Sequence, residues 1–242
     1  MGGFLKVVFL ACLALLPLSC WLADDLDAGL EVLPSLSVEP RQTATRAAPF
    51  SVAQGGVEYR IEPLHDYALE GMVVSVRHHD GDRMLHKLWN DHLNVADLCV
   101  VWGSNTDVSR LREFEFWSGQ FTCFFRTRND EAWGLFRPDQ LSNNHLITAD
   151  GNLREVIDDV RIGDQVRLRG QLARYGTASG FTRGTSVTRD DTGNGACETI
   201  YVTDFQIMRS MDTLWRSLEP LSWFGLLLSG VGGLVGIARG TI

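Results

Sequence analysis

Apolar residues collect in long runs at the two ends of the chain and alternate with polar ones between them. Val7 to Ala23 and Pro220 to Ala238 contain no charged residue, and each is long enough to cross the ~30 Å hydrocarbon layer of a bilayer. Between them the period is mostly two, the spacing of strands. Ala68 to Arg77 predicts a first strand in which Gly71 marks a bulge or bend. Leu98 to Trp102 predicts a short apolar second strand stopped by Gly103. Phe121, Cys123 and Phe125 alternate with Thr122, Phe124 and Arg126, predicting a third strand. The period then changes. Leu153, Val156, Ile157 and Val160 fall on one helical face behind Asn152, with Glu155 as its capping-box partner. A second helix is expected over Asp130 to Phe136. Val166 to Ala173 and Glu198 to Met208 predict the last two strands, the latter with a bulge where alternation slips at Thr203-Asp204.

Three strands, a helical crossover and two strands, with Gly71 in the first strand and a Gly163-Asp164 turn into the fourth, resemble the OB-fold in topology and pattern. That resemblance covers Tyr67 to Met208 and implies a mainly β (α+β) unit, a five-stranded partly open barrel with one or two short helices. His78 to Asp97 would be an insertion between strands one and two. The chain also resembles a bacterial envelope family, which implies nothing about activity. The expected organisation is a signal peptide or N-terminal membrane anchor over 1–23, then an extended, disordered linker over 24–55. The OB-like unit covers 56–210, followed by a juxtamembrane segment over 211–219, a transmembrane helix over 220–238 and a cytoplasmic tail over 239–242. The linker assignment rests on its acidic start and on Pro34, Pro40 and Pro49 scattered among Ser, Thr and Ala.

Charge orients the ends. Lys6 precedes the first apolar run and Asp24, Asp25 and Asp27 follow it, while Arg239 follows the last run. Positive residues favour the cytoplasmic side, so the expected location is the bacterial inner membrane with the folded unit facing the periplasm. Leu16 to Cys20 resembles a lipobox, with Pro17 where that motif has Leu. Gly232 and Gly236 form a GxxxG pair that allows a homodimer, although Gly is common in membrane helices generally. The net charge of −8 disfavours nucleic-acid binding, which normally needs a basic surface. Cys99, Cys123 and Cys197 are three thiols outside the first run, so one disulfide at most forms among them. Cys99 and Cys123 lie in apolar runs where a buried free Cys would act as a small hydrophobe.

Candidate chemistry concentrates in two polar stretches. His78, His79, His86 and His92 lie within twenty residues of Asp80, Asp82, Asp91 and Asp97. Neutral imidazole and carboxylate are the usual ligands of zinc and similar divalent ions, which makes His78, His79, His86, Asp91 and His92 the metal candidates. No HExxH or other standard spacing supports them, and a polar loop whose residues satisfy one another accounts for the same pattern. The second stretch is Thr188 to Glu198. Its Asp190, Thr192, Asn194 and Gly195 fit the first half of a calcium loop, but the twelfth position is Tyr201 instead of Glu. In an OB-like unit this stretch and the His-rich insertion flank one rim, giving His78, His79, Asp190, Asp191 and Asn194 as ligand-binding candidates. Leu141 to His145 reads as a helix end whose paired Asn residues cap the next element. The many Phe and Trp residues read as core more than as a base-stacking platform.

Three functions remain open from sequence: a membrane-anchored module without an essential cofactor that binds a partner protein or small ligand, a metal-dependent enzyme of hydrolase type, and a single-strand nucleic-acid binder. The chain has no GxSxG and no phosphate-cradling Gly loop, which favours the first.

Overall fold

The computed structural model describes residues 2–188, 191–193 and 197–239, and the chain forms two compact units, Ala28–Ser210 and Met1–Asp27 with Met211–Ile242.

The second of these is a pair of helices, α1 (Gly2–Leu22) and α6 (Leu214–Ala238), both long and apolar enough to cross a membrane. They pack antiparallel. A Cβ placed on Gly225 would lie 2.3 Å from Cys12 Sγ, and one on Gly232 would lie 3.3 Å from Leu5. Seven residues forward in α6 thus correspond to seven backward in α1, and the small residues of α6 permit the close approach. Gly232, expected at a dimer face, already has Leu5 of the same chain as a neighbour. At the open end Arg216 donates to the Ala23 carbonyl (3.0 Å) and the Met211 carbonyl (3.0 Å) and sits 3.6 Å from Asp24.

The larger unit is α+β, with a mixed eight-stranded sheet and a separate two-stranded hairpin. Its strands are β1 (Arg41–Ala44), β2 (Phe50–Gln54), β3 (Val57–His78), β4 (Asn94–Val101), β7 (Leu141–Ile147), β8 (Gln165–Thr177), β9 (Thr182–Arg183) and β10 (Cys197–Arg209). β3 pairs antiparallel with β4, β4 with β7, and β10 with β8, whereas β7 and β10 run parallel. β8 pairs with β3 as well, over Tyr59 to Met72. Between β4 and β7 lie the short helix α3 (Val108–Leu111), the hairpin β5 (Phe114–Ser118) and β6 (Cys123–Thr127), and α4 (Asp130–Leu135). α2 (Met84–Trp89) follows β3, and α5 (Gly151–Asp158) follows β7.

The core follows from alternation. Val73, Ala96, Leu98, Val100, Leu146, Leu168, Leu172, Ile200 and Val202 point to one face of the sheet, where Ile157 and Val160 from and beyond α5 close over them. Each such side chain contributes roughly 1.5–3 kcal/mol on burial. Asp150 caps α5 by accepting from the Asn152 and Leu153 amides, so the cap stands two residues before the expected Asn152.

Several expectations are corrected. Residues 24–55 are not an extended linker throughout, because β1 and β2 both pair with β3 and Leu36 is fully buried. The Phe121 run does not join the main sheet, since β6 pairs only with β5. The main sheet's strand there is Leu141 to Ile147, expected to be a helix end. The irregularity of β3 falls at Val73/Ser75 and Pro63/His65, not at Gly71. Gly71 is instead a contact point, where a Cβ would lie 2.7 Å from the Val101 carbonyl oxygen. Cys99 is not a free hydrophobe: it is disulfide-bonded to Cys123, which ties the hairpin to β4. The bulge expected at Thr203-Asp204 is present, between Val202 and Asp204.

Gly170 offers a test of the β8–β10 ladder. A Cβ there would meet the Tyr201 carbonyl oxygen at 2.2 Å, backbone that cannot rotate away, whereas one on Gly151 meets nothing within 4 Å. Gly170→Ala is expected to destabilise the β unit by about 2–3 kcal/mol and Gly151→Ala by less than about 0.5, read from urea unfolding followed by tryptophan fluorescence.

Candidate functional site

The sheet face opposite the core carries a buried polar network. Strand alternation places Ala96, Leu98 and Leu146 on the core side, and therefore Asp97 and Cys99 of β4 and Asn143 and His145 of β7 on the other. Register then sets the neighbours. Asp97 lies opposite His145, and Asn143 lies between Cys99 on one side and Cys197 on the other.

Asp97 is the centre. It is 1% exposed, and its Oδ1 is 2.6 Å from His145 Nδ1 and 3.4 Å from Asn94 Nδ2. Its Oδ2 is 3.0 Å from His79 Nε2, close enough for strong attraction although the pair is not aligned as a hydrogen bond. Burial would raise the Asp97 pKa, but His145 and His79 hold it far below the usual carboxylate range. For His145 burial would lower the pKa, yet the facing Asp97 carboxylate outweighs it and raises the value to about 9. His79 goes the other way: burial dominates the attraction of Asp97 and lowers its pKa. A charged His145–Asp97 pair thus sits beside a neutral His79.

A second carboxylate adjoins it. Asp91, fully buried after α2, accepts from Tyr175 Oη at 2.8 Å and lies 3.4 Å from His86 Nδ1. Burial opposes its ionisation, and the contacts from His86, Tyr175 and Arg183 overcome this and lower its pKa. The His86 and His79 ring centroids lie 4.1 Å apart, the planes tilted by 36°. Local structure fixes these positions. Asn90 ends α2 in a left-handed conformation (φ 51°), and its amide closes on the His86 and Lys87 carbonyls. The Tyr59 hydroxyl bonds the Asn90 carbonyl and receives the His92 amide.

Phe121 covers the network. It adopts φ 60° in the turn between β5 and β6, a conformation uncommon for a bulky residue. Its ring lies 5.4 Å from His86, 6.1 Å from His145 and 5.5 Å from Trp89. The Arg183 guanidinium stacks on it at 3.9 Å. Its carbonyl accepts from Asn143 Nδ2 at 3.1 Å. Beneath this lid His86 Nε2, Asn143 Oδ1 and Arg183 Nη1 are buried with no hydrogen-bond partner. Such groups cost about 1–3 kcal/mol each unless water or a ligand meets them.

Of the residues picked out by sequence, His79, His86 and Asp91 come together. His78 does not join them: it ends β3 facing the Val160 carbonyl (3.0 Å) and Asp158 (3.9 Å). His92 packs against Gly55 and Gly81 instead. Asp191 accepts a hydrogen bond from Ser186, while Asp190 and Asn194 lie outside the described residues. Among the described residues no group of three His, Cys, Asp or Glu side chains is arranged to hold a metal ion. Asp97 and His145, the strongest pair, were absent from the sequence-derived set. Asp97 stood in the polar stretch, but its partner is 48 residues away in a segment whose polar pattern suggested a cap.

A cavity of about 680 Å³ is lined among others by Glu58, Arg60, Glu62, Arg174, Tyr175 and Arg183, and none of Asp97, His145, His79, His86 or Asp91 lines it. Comparison with protein-family models, with curated proteins and with solved structures returns no match.

The coupled pair gives stability a definite pH dependence. His145 is raised above its unfolded value of about 6.5, so its contribution is complete below that pH and is lost as pH rises through about 9. Between pH 6.5 and 9.5 the unfolding free energy is expected to drop by on the order of 2–3 kcal/mol. His145→Gln should flatten that slope in thermal melts recorded across the range.

Proposed function

We propose that this chain is a membrane-tethered binding module whose OB-like unit takes a small polar ligand at the β4–β7–β10 face. The observation that carries the reading is the set of buried, unsatisfied polar atoms, His86 Nε2, Asn143 Oδ1 and Arg183 Nη1, beneath one aromatic lid. Native interiors satisfy such groups, so a polar guest belongs among them.

The OB-like assignment draws its support from the ladder order. β3, β4, β7, β10 and β8 follow one another by pairing, β8 pairs again with β3, and α5 lies between β7 and β8, the third and fourth of these strands in chain order. In that architecture the face of strands two and three is the usual ligand face. Here strands two and three are β4 and β7, the strands that carry Asp97 and His145. The hairpin and Phe121 cover this face, which favours a small guest over a polynucleotide, and the net charge of −8 points the same way.

The two apolar helices support a tether with both spans retained. Antiparallel packing brings Lys6 and Arg239 to the same end of the pair, and two positive ends on one side favour the cytoplasm for that end. The β unit would then face the periplasm of a bacterial inner membrane.

The metal-dependent reading keeps one supporting observation, the convergence of His79, His86 and Asp91. Native mass spectrometry and elemental analysis of the full chain extracted in mild detergent separate the two. We expect a non-covalent small-molecule adduct on the wild type, lost in His86→Ala, and less than about 0.1 equivalent of metal. An adduct-free wild-type spectrum removes the ligand site, and stoichiometric zinc lost in His86→Ala installs the metal reading in its place. For the tether, alkaline carbonate washing should leave the protein in the membrane pellet, and its release would remove the anchor.

A further inference from the structure

The cavity of about 680 Å³ is built by four paired strands, β2, β3, β8 and β9. Tyr59 and Ile61 of β3 and Ala173 and Tyr175 of β8 point into a core with Leu93 and Ile147. Alternation therefore turns Glu58, Arg60, Glu62, Arg174 and Gly176 to the opposite face, where they line the cavity. Register lays out its floor. Ser51, Arg60, Gly176 and Thr182 form one row across the four strands. The β8–β9 turn excludes a side chain at Gly176, where a Cβ would lie 2.4 Å from the Phe181 carbonyl oxygen. Ala178 and Gly184, just after β8 and β9, line the same half. Small residues on that side thus leave a hollow beside the long charged side chains of β3.

The charges of the hollow have a definite order. Arg60 bonds Glu62 at 3.1 Å, so the middle is compensated. Glu58 and Arg174 stand at the two ends, and among the described residues neither side chain has a hydrogen-bond or ion-pair partner. Arg174 lies in register with Glu62, four residues from Glu58, which sets the two ends roughly 13 Å apart along the strands. Arg60 and Arg174 balance Glu58 and Glu62, leaving the hollow neutral. A simple anion drawn to Arg174 meets the carboxylates and a simple cation drawn to Glu58 meets the guanidinium groups. A molecule that carries both charges, held apart, gains at both ends.

We propose that this hollow binds a di- or tripeptide with free termini, its carboxylate on the Arg174 guanidinium and its ammonium on Glu58. Extended chain advances at most about 3.6 Å per residue, so two or three residues span about 7–11 Å and leave room for a hydrogen bond at each end. The volume agrees with such a guest, since small-ligand pockets measure about 300–1,000 Å³. A guanidinium fork donates two parallel hydrogen bonds to a carboxylate, which suits Arg174 to the C-terminus. Ser51 and Thr182 bring hydroxyl groups to the row beneath the peptide bonds, and the glycine floor lets a backbone approach closely. The site stands apart from the one proposed beneath Phe121. Arg183 borders both, but its guanidinium is committed to the Phe121 ring at 3.9 Å.

The test is isothermal titration calorimetry of the full chain in mild detergent with trialanine, its N-acetyl form and its C-terminal amide. Trialanine is expected to saturate with a dissociation constant on the order of 0.1–1 mM, because exposed charge pairs contribute modestly. Each blocked form should bind about ten-fold more weakly. Arg174→Gln is expected to weaken trialanine by a similar factor without further weakening the amide, and Glu58→Gln to do the same for the N-acetyl form, because each pair of changes removes one shared contact. Glu58 and Arg174 are both exposed, so neither substitution disturbs the core. Absence of saturable heat up to about 5 mM trialanine overturns the site. Equal affinity for the three probes overturns recognition of the termini, and wild-type affinity in both variants overturns the placement at Glu58 and Arg174. The adduct expected beneath Phe121 involves neither residue, so either reading can fail while the other stands.

Discussion

The structure of the β unit turns on one buried carboxylate. Asp97 is almost wholly removed from water, and an isolated charge in that position would cost several kcal/mol. Its ionisation is tolerable only because His145 and His79 approach it from β7 and from the end of β3. That requirement fixes register. Sliding β7 by one residue would send His145 to the apolar side and bring Leu146 against the carboxylate, so the ion pair selects the pairing that also sets Asn143 between Cys99 and Cys197. Removing one partner should therefore cost more than the pair itself contributes, because the other charge would be left buried alone.

A polar face on a central sheet needs a cover, and the chain supplies it from between the two strands that carry the pair. The segment joining β4 to β7 folds into the β5–β6 hairpin and α4, with Phe114, Phe116, Phe125 and Phe136 forming a small core of their own. The Cys99–Cys123 bond clamps this hairpin to β4. Closing a loop of this length by a disulfide is worth about 3 kcal/mol through the unfolded state. The clamp holds Phe121 over the imidazoles in a backbone conformation that an unrestrained chain would seldom adopt. The lid is the consequence of one insertion, laid over a network that β4, β7 and the segment after β3 supply.

Much of the apolar framework was legible in the chain. The two long uncharged runs became α1 and α6, the i, i+3, i+4 pattern read behind Asn152 became α5, and the slip at Thr203-Asp204 became a bulge in β10. These are local signals, in which a few neighbouring side chains choose between period two and period 3.6. β7 was not legible because LSNNHLI carries polar groups on both faces. Asn144, on the core side, donates its Nδ2 to Ser142 and to the Leu98 carbonyl of the next strand, partners that periodicity does not register. β1 and β2 were hidden for a related reason: they are short, half-exposed edge strands that gain order from β3 more than from their own residues.

The sequence by itself determined the apolar helices, the alternation that builds the core and the density of His and Asp after the first strand. Tertiary structure alone decided which of those His and Asp residues matter. Adjacent His78 and His79 part company, His78 turning to the Val160 carbonyl and His79 to Asp97. His145 and Cys197 enter from strands far along the chain, brought beside Asp97 and Asn143 by ladder register. The reason is physical: a buried charge is stabilised by whatever lies within about 3–4 Å of it, and that distance is set by strand pairing, to which separation along the chain is indifferent.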